Sequence, residues 1–206
     1  MRLPYVADPL PAGDTTTTPE DQAVRDRIAA RRAPRGLTPL DLALLHSPPV
    51  ADGWNSLLGA VRTRTALAAD LRELAICRVA VVNRAWYEWA HHAPLAAAAG
   101  VPAAALELLK ARPGALGVNA AASPGGDGEG ARGGLDERQW AVLCLADEMT
   151  RNVEVADETF AVVRGLFEER EVVEIVATVA CYNCVSRFLV ALDVGERNGT
   201  GPDAPH

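Results

Sequence analysis

The sequence predicts an all-α protein that folds as a single helical domain. Hydrophobic residues make up 49% of the 206 residues and aromatic residues only 5%, and alanine is abundant, which suits close packing of helices. Apolar residues recur at helical spacing in several segments that are bounded by capping residues and prolines. Segments that alternate like strands are scarce. A chain of this length fits one domain with a substantial core.

The N-terminal third begins with an arm and continues with short helices. Residues 1–19 are rich in proline and threonine and lack periodicity, so they are predicted to be an extended arm of the kind that can wrap a partner subunit. Thr18 and Thr38 each precede a proline and an acidic residue, a pattern typical of helix starts. The next helix is predicted over 50–65, with a core face made of Trp54, Leu57, Leu58 and Val61.

The most informative stretch is 71–100, LRELAICRVAVVNRAWYEWAHHAPLAAAAG. Its first half is apolar nearly all round, which predicts a buried helix. Yet Glu73 lies at its start, and Glu88, His91 and His92 follow at its far end. Buried ionisable groups need a partner, a shifted pKa or a chemical role, so this group is the candidate active site.

Spacing narrows this hypothesis. Glu88 and His92 are four residues apart, which places them on one helical face within reach of each other. Glu73 is fifteen residues from Glu88, about 22 Å along a straight helix, so the chain must bend or a second subunit must contribute. The polar pair Asn83 and Arg84 is the predicted break between two helices.

The remaining elements complete a helical domain over 20–195. A helix is predicted over 102–111, followed by a glycine-rich mobile loop over 112–134. The helix after it should expose Asp147 and Glu148 to solvent. The next, over 155–167, is predicted to carry a capping box at Asp157, and the last covers 170–194. Residues 196–206 are predicted to be a disordered tail.

Composition excludes several classes of function. The net charge of −7 argues against nucleic acid and against an anionic membrane as partners. No charge-free apolar segment of about 18 residues and no leader peptide is recognisable, so we expect a cytoplasmic protein without a membrane span. The four cysteines favour reduced, buried thiols over a disulfide framework.

Together, the pattern R-E-L-A, the apolar run, Y-E-W-A-H-H and the spacing from His92 to Gly100 resemble the carboxymuconolactone decarboxylase and AhpD-like superfamily. Redox members carry a Cys-x-x-Cys where this chain has Ala85 and Glu88. The resemblance implies the AhpD-like helical bundle, an acid/base pocket and a homo-oligomer, whether dimer, trimer or hexamer. It also adds His46, from a His-Ser-Pro turn, and Tyr182, Asn183 and Arg187 from the last helix to the candidate pocket.

Three hypotheses for the chemistry of this cluster follow. The favoured one is a cofactor-free acid/base enzyme, a decarboxylase or related lyase acting on a small carboxylated, cyclic or lactone-type substrate, with His92, Glu88 and Glu73 as catalytic groups. A di-metal site is disfavoured, because no second Glu-x-x-His is present, and neither metal nor cofactor is expected. The third is a buried structural network in a catalytically idle binding or assembly protein. The predicted substrate-binding residues are Tyr182, Tyr87, His91, Trp89, Trp86, His46, Asn183 and Arg187.

A thiol-dependent alkylhydroperoxidase is the alternative enzymatic function. Cys181 and Cys184 form a Cys-x-x-Cys, but they lie in the middle of an apolar helix and no histidine follows at the spacing of the peroxidase motif. We therefore interpret the pair as packing residues.

Overall fold

The structure is a computed structural model that describes residues 1–111, 116 and 132–204. Its regular elements are helices, and no strand occurs among the described residues. The all-α class predicted from the sequence is confirmed. The helices are α1 Pro19–Arg32, α2 Pro39–Leu44, α3 Pro48–Thr63, α4 Ala69–Asn83, α5 Trp86–Ala98, α6 Ala103–Ala111, α7 Glu137–Asn152, α8 Asp157–Leu166 and α9 Glu169–Leu192, followed by a 3₁₀ turn at Val194–Glu196.

The helices fall into two compact units. The first comprises Met1–Thr65 and Ala191–Glu196, and the second comprises Ala66–Val190 and Arg197–His206. In the first unit α3 packs against α1 and α2. Both predicted helix starts are present, because Thr18 and Thr38 each form a reciprocal capping box with an aspartate three residues later. No helix precedes Pro19, and the backbone of the arm bonds to Leu42 within this unit.

The predicted core face of α3 is partly wrong. Leu58 and Val61 are buried as expected, but Leu57 is 54% exposed. Ala51 supplies the third buried position of the helix, and it shares one face with Leu58, seven residues later. Leu57 lies about 100° away around the helix from Leu58 and therefore falls outside that face.

The second unit is arranged around α4, which packs against α5, α6 and α7, while α7 also packs against α8. Ten of the fifteen residues of α4 are buried, as its apolar composition predicts. The glycine-rich loop predicted over 112–134 lies largely outside the described residues. The domain boundaries and the disorder of 196–206 remain predictions; within that tail, the described residues 197–204 form turns.

Helix α8 does not have the predicted cap. Its N-cap residue is Ala156, without a side-chain capping bond, so the capping box expected at Asp157 is absent. Instead, Glu148 of α7 accepts hydrogen bonds from the Ala156 backbone N–H and from the hydroxyl of Thr159. A carboxylate from the preceding helix thus satisfies the start of α8.

Helix α9 is the one helix in the described ranges that is long and apolar enough, by length and composition, to cross a membrane. Its most apolar stretch is 44% buried within the protein. Core helices of soluble proteins meet the same two criteria, so this feature is weak evidence for a membrane span.

Candidate active site

The site is created by the break between α4 and α5. Helix α4 ends at Asn83, Arg84 takes the left-handed conformation at φ 55° and ψ 36°, and α5 begins at Trp86. The Ala85 N–H bonds back to the Ala80 carbonyl at 2.8 Å, which closes the end of α4. The predicted break at Asn83 and Arg84 is present, and it lets α5 return alongside α4.

This reversal joins Glu73 of α4 to His92 of α5. The His92 Nδ1 lies 2.6 Å from Glu73 Oε2, and both residues are buried, at 7% and 3% exposure. The Arg72 Nε lies 3.4 Å from the other carboxylate oxygen of Glu73. With Nδ1–H donating to the carboxylate, a neutral imidazole carries its lone pair on Nε2, the form suited to a general base.

The sequence had indicated a different partner for His92. Helical spacing pairs it with Glu88, but neither carboxyl oxygen of Glu88 has a hydrogen-bond partner among the described residues. The pairing prediction was therefore wrong, because it considered one helix alone. Glu73 lies nineteen positions away in sequence but is brought to His92 by the break.

Glu88 is a buried acid. It lies in the first turn of α5 and is 1% exposed. Burial raises the pKa of its carboxyl well above the ordinary value, because an ionised carboxylate loses its hydration there. The protonated form is favoured, and in that form Glu88 is a hydrogen-bond donor.

Cys77 lies close to both carboxyl groups. The thiol is fully buried, and burial is the main reason that its pKa is raised well above the ordinary value; Glu73, and Glu88 when it is ionised, raise it further. Cys77 therefore stays a neutral thiol and is a poor nucleophile.

Tyr182 of α9 completes the cluster. Its side chain is buried, and its ring centroid lies 5.0 Å from that of His92 in an edge-on arrangement at 84°. The structure thus places this residue beside the imidazole. Its role as a hydrogen-bond donor to substrate stays a prediction.

Asn183, also predicted for the pocket, bonds to two other helices, whereas Arg187, predicted with it, bonds to Asn183 within α9. The Asn183 amide nitrogen donates to the Thr150 hydroxyl at 2.9 Å and to the Val179 carbonyl at 3.0 Å. Its amide oxygen accepts from Asn83, and Arg187 donates to it as well. These bonds join α4 and α7 to α9 at Asn183, the residue that follows Tyr182.

The other predicted pocket residues are spread more widely. Trp89 is buried and its indole N–H donates to the Pro202 carbonyl at 3.1 Å, while Trp86 packs against the apolar core. His91 is exposed, with Nδ1 2.8 Å from the Tyr87 carbonyl oxygen. His46 belongs to the first unit, where it is exposed and its Nε2 lies 2.6 Å from the carbonyl oxygen of Pro4.

Sequence reasoning missed a buried ion pair beside this cluster. Arg78 and Asp147 are both fully buried, and the guanidinium Nε and Nη2 bond to Asp147 Oδ1 at 2.9 and 2.7 Å. Arg151 donates to the same oxygen, and the Leu116 backbone N–H donates to Oδ2. The prediction that Asp147 faces solvent was therefore wrong. The available signal was Arg78 itself, a lone charge inside the apolar run of α4.

Neither a disulfide nor a group of metal ligands is found among the described residues. Cys181 is buried and burial raises its pKa, whereas Cys184 is exposed, contrary to the expectation that the thiols are buried. The two cysteines are not joined in a disulfide. Within the described ranges, no cluster of three or more histidine, cysteine, aspartate or glutamate side chains could hold a metal ion.

Comparison with known proteins agrees with this description. Residues 48–123 match the carboxymuconolactone decarboxylase family. The matched segment covers less than half of the chain. It contains Glu73, Glu88 and His92, so the resemblance inferred from the sequence is confirmed where the candidate acid/base groups lie.

The fold of the whole chain has a solved counterpart. An uncharacterized peroxidase-related protein from Silicibacter sp. TM1040 aligns with a TM-score of 0.60 over 96% of this chain and 95% of its own, at 20% sequence identity. At this identity the likeness establishes a shared fold. No curated protein matches the chain.

Proposed function

We propose that this carboxymuconolactone decarboxylase-family protein is a cofactor-free acid/base enzyme, a decarboxylase or related lyase acting on a small carboxylated, cyclic or lactone-type substrate. The observation that carries the proposal is the buried Glu73–His92 pair close to Glu88, whose buried carboxyl has no hydrogen-bond partner among the described residues. Proton transfer at the carbon next to a carbonyl requires both a base and a neutral acid. The two groups must therefore differ in pKa.

Each group has a definite part in such a reaction. His92 takes a proton from the carbon next to the substrate carbonyl, or returns one to the enolate that remains after loss of carbon dioxide. Glu73 holds the imidazole by its Nδ1–H and stabilises the imidazolium that forms. Glu88, as a neutral acid, donates a hydrogen bond to the oxygen on which negative charge develops.

The test compares two neighbouring histidines. We expect His92→Ala to lower turnover by about 10²–10⁴-fold, the usual contribution of a general base, with unchanged helical circular dichroism. His91→Ala should keep near-normal activity, because His91 is exposed and lies outside the buried pair. Activity would be measured as deuterium exchange next to the carbonyl and as product formation on a panel of ketones, lactones and aromatic carboxylates. Full activity of His92→Ala would exclude the mechanism.

The peroxidase-related name of the structural neighbour calls for a control. Hydroperoxide consumption that is lost in the Cys181→Ser/Cys184→Ser double variant would favour the thiol chemistry instead. The raised pKa of Cys181 argues against such activity, because the thiolate is the reactive form.

A further inference from the structure

The carboxyl group of Glu88 is buried without a hydrogen-bond partner among the described residues. It is 1% exposed, and neither of its oxygens forms a hydrogen bond within the described ranges. Buried polar groups in folded proteins nearly always have partners, because losing hydration without a replacement destabilises the fold. A carboxyl left without one inside a candidate active site points to a bound molecule as its partner.

The charges around Glu88 restrict what that molecule can be. Cys77, a neutral thiol, lies near both Glu88 and Glu73, and Glu73 carries the pair with His92. Arg72 is engaged with Glu73, its Nε lying 3.4 Å from a carboxylate oxygen.

Arg78 does not serve as a counter-ion for Glu88 either. Its guanidinium is engaged with Asp147, because Nε and Nη2 both donate to the same carboxylate oxygen. Burial is the cause of the raised pKa of Glu88. A second anion placed here would be buried beside Glu73 without a positive charge of its own, which is strongly unfavourable.

We infer that Glu88 donates its carboxyl hydrogen bond to an uncharged carbonyl oxygen of the substrate, as in a ketone, an enone or a lactone, and that this position rejects a carboxylate. The inference rests on the proposed function and narrows it. Among the reactions that the function covers, it favours enolisation, isomerisation and lactone chemistry at the group that contacts Glu88.

Acetophenone and benzoate test this preference directly. The two probes have the same shape, but one presents a neutral carbonyl and the other a carboxylate. We expect acetophenone to bind the full chain at least tenfold more tightly than benzoate at pH 7, measured by ligand-observed NMR titration. Equal or tighter binding of benzoate, or binding of neither probe, would overturn the inference.

Substitutions at Glu88 separate hydrogen bonding from shape. Glu88→Gln keeps a neutral donor and should bind acetophenone within about threefold of the wild type, whereas Glu88→Leu removes the donor and should bind about tenfold more weakly. Glu137→Gln, on the exposed first turn of α7, is the matched control and should not change binding. Equal affinity of Glu88→Leu and wild type would show that Glu88 does not contact the probe.

Infrared difference spectroscopy gives a readout independent of affinity. The wild type should show a protonated carboxylic acid band that shifts when acetophenone binds and is missing in Glu88→Gln; a band insensitive to the probe would contradict the contact. Deuterium exchange into the acetophenone methyl group tests His92 separately. If binding follows the expected order but no His92-dependent exchange occurs, the proposed function fails and the inference stands. If exchange depends on His92 but benzoate binds better, the inference fails alone.

Discussion

At the scale of single residues, the site depends on two buried glutamates that differ in their partners. Glu73 has His92 and Arg72 beside it, and both of them stabilise a carboxylate. Glu88 has neither a cation nor a hydrogen-bond donor among the described residues, so burial favours its neutral form. One carboxylate that holds the base and one neutral acid arise from the same residue type because their surroundings differ.

The raised pKa of Glu88 predicts a particular dependence of stability on pH. Below the ordinary carboxyl pKa of about 4.3, folded and unfolded chains both keep the proton, and Glu88 has no effect. Above it, the unfolded chain loses the proton while the folded chain retains it. The free energy of unfolding then falls, by at most about 1.4 kcal/mol per pH unit, until pH reaches the folded pKa.

Glu88→Gln should abolish this fall in the free energy of unfolding with rising pH, because the amide does not titrate. We expect the variant to gain stability relative to wild type by at least about 1 kcal/mol between pH 5 and pH 8, measured by urea unfolding at each pH. Glu137→Gln, in the exposed first turn of α7, is the control for the replacement of a carboxyl by an amide. A difference between Glu88→Gln and wild type that is constant across this range would mean that Glu88 is ionised in the folded protein.

At the scale of helices, the features encoded locally could be predicted and those that depend on a neighbouring helix could not. The starts of α1 and α2 follow from Thr18 and Thr38, whose caps involve only the next three residues. The break after Asn83 was likewise visible as polar residues within an apolar run. The capping box of α8 was predicted wrongly at Asp157, because the carboxylate that satisfies the start of this helix comes from Glu148 on α7.

The end of α7 carries strain that a substitution can release. Val153, its C-cap residue, has φ 67° and ψ −41° and is 82% exposed. A β-branched residue at positive φ is sterically unfavourable, by about 1–3 kcal/mol, whereas glycine adopts this region freely. We expect Val153→Gly to raise the free energy of unfolding by about 1 kcal/mol, after its larger loss of backbone entropy is counted.

Denaturant unfolding of two variants checks this expectation. Val153→Ala keeps a Cβ atom and should gain much less than Val153→Gly, since most of the steric conflict at positive φ persists. The exposed side chain itself contributes little packing, so both variants should retain the native helix content. A glycine variant less stable than wild type would show that the surrounding structure, and not strain, sets this conformation.

At the scale of the whole molecule, the sequence was informative about which residues carry the site and less so about how they pair. The segment 71–100 was recognised because ionisable groups interrupt an apolar stretch, and Glu73, Glu88 and His92 do lie in one buried cluster. Their pairing depends on the fold: α5 returns along α4 and gives His92 to Glu73. Asp147 was misplaced for the same reason, since its burial depends on Arg78 from a distant part of the chain.

The Arg78–Asp147 pair connects α4 to α7 in the second unit and should be one of its most sensitive points. Removing the carboxylate in Asp147→Ala leaves the Arg78 guanidinium buried without its main counter-ion, which costs about 3–5 kcal/mol. The double variant Arg78→Met/Asp147→Leu removes both charges and keeps the volume. It should therefore be more stable than Asp147→Ala by at least about 2 kcal/mol, although the Leu116 N–H loses its acceptor.

Thermal and urea unfolding of both variants would measure this difference. Asp52→Ala, which breaks the exposed pair with Arg27, serves as the control and should cost less than about 1 kcal/mol. If the double variant were as unstable as Asp147→Ala, burial of an unpaired charge would not be the cause, and the loss would instead come from the hydrogen bonds that Asp147 makes to Leu116 and Arg151. If the double variant regains stability, the contact between α4 and α7 tolerates either two opposite charges or two uncharged side chains, but not one charge alone.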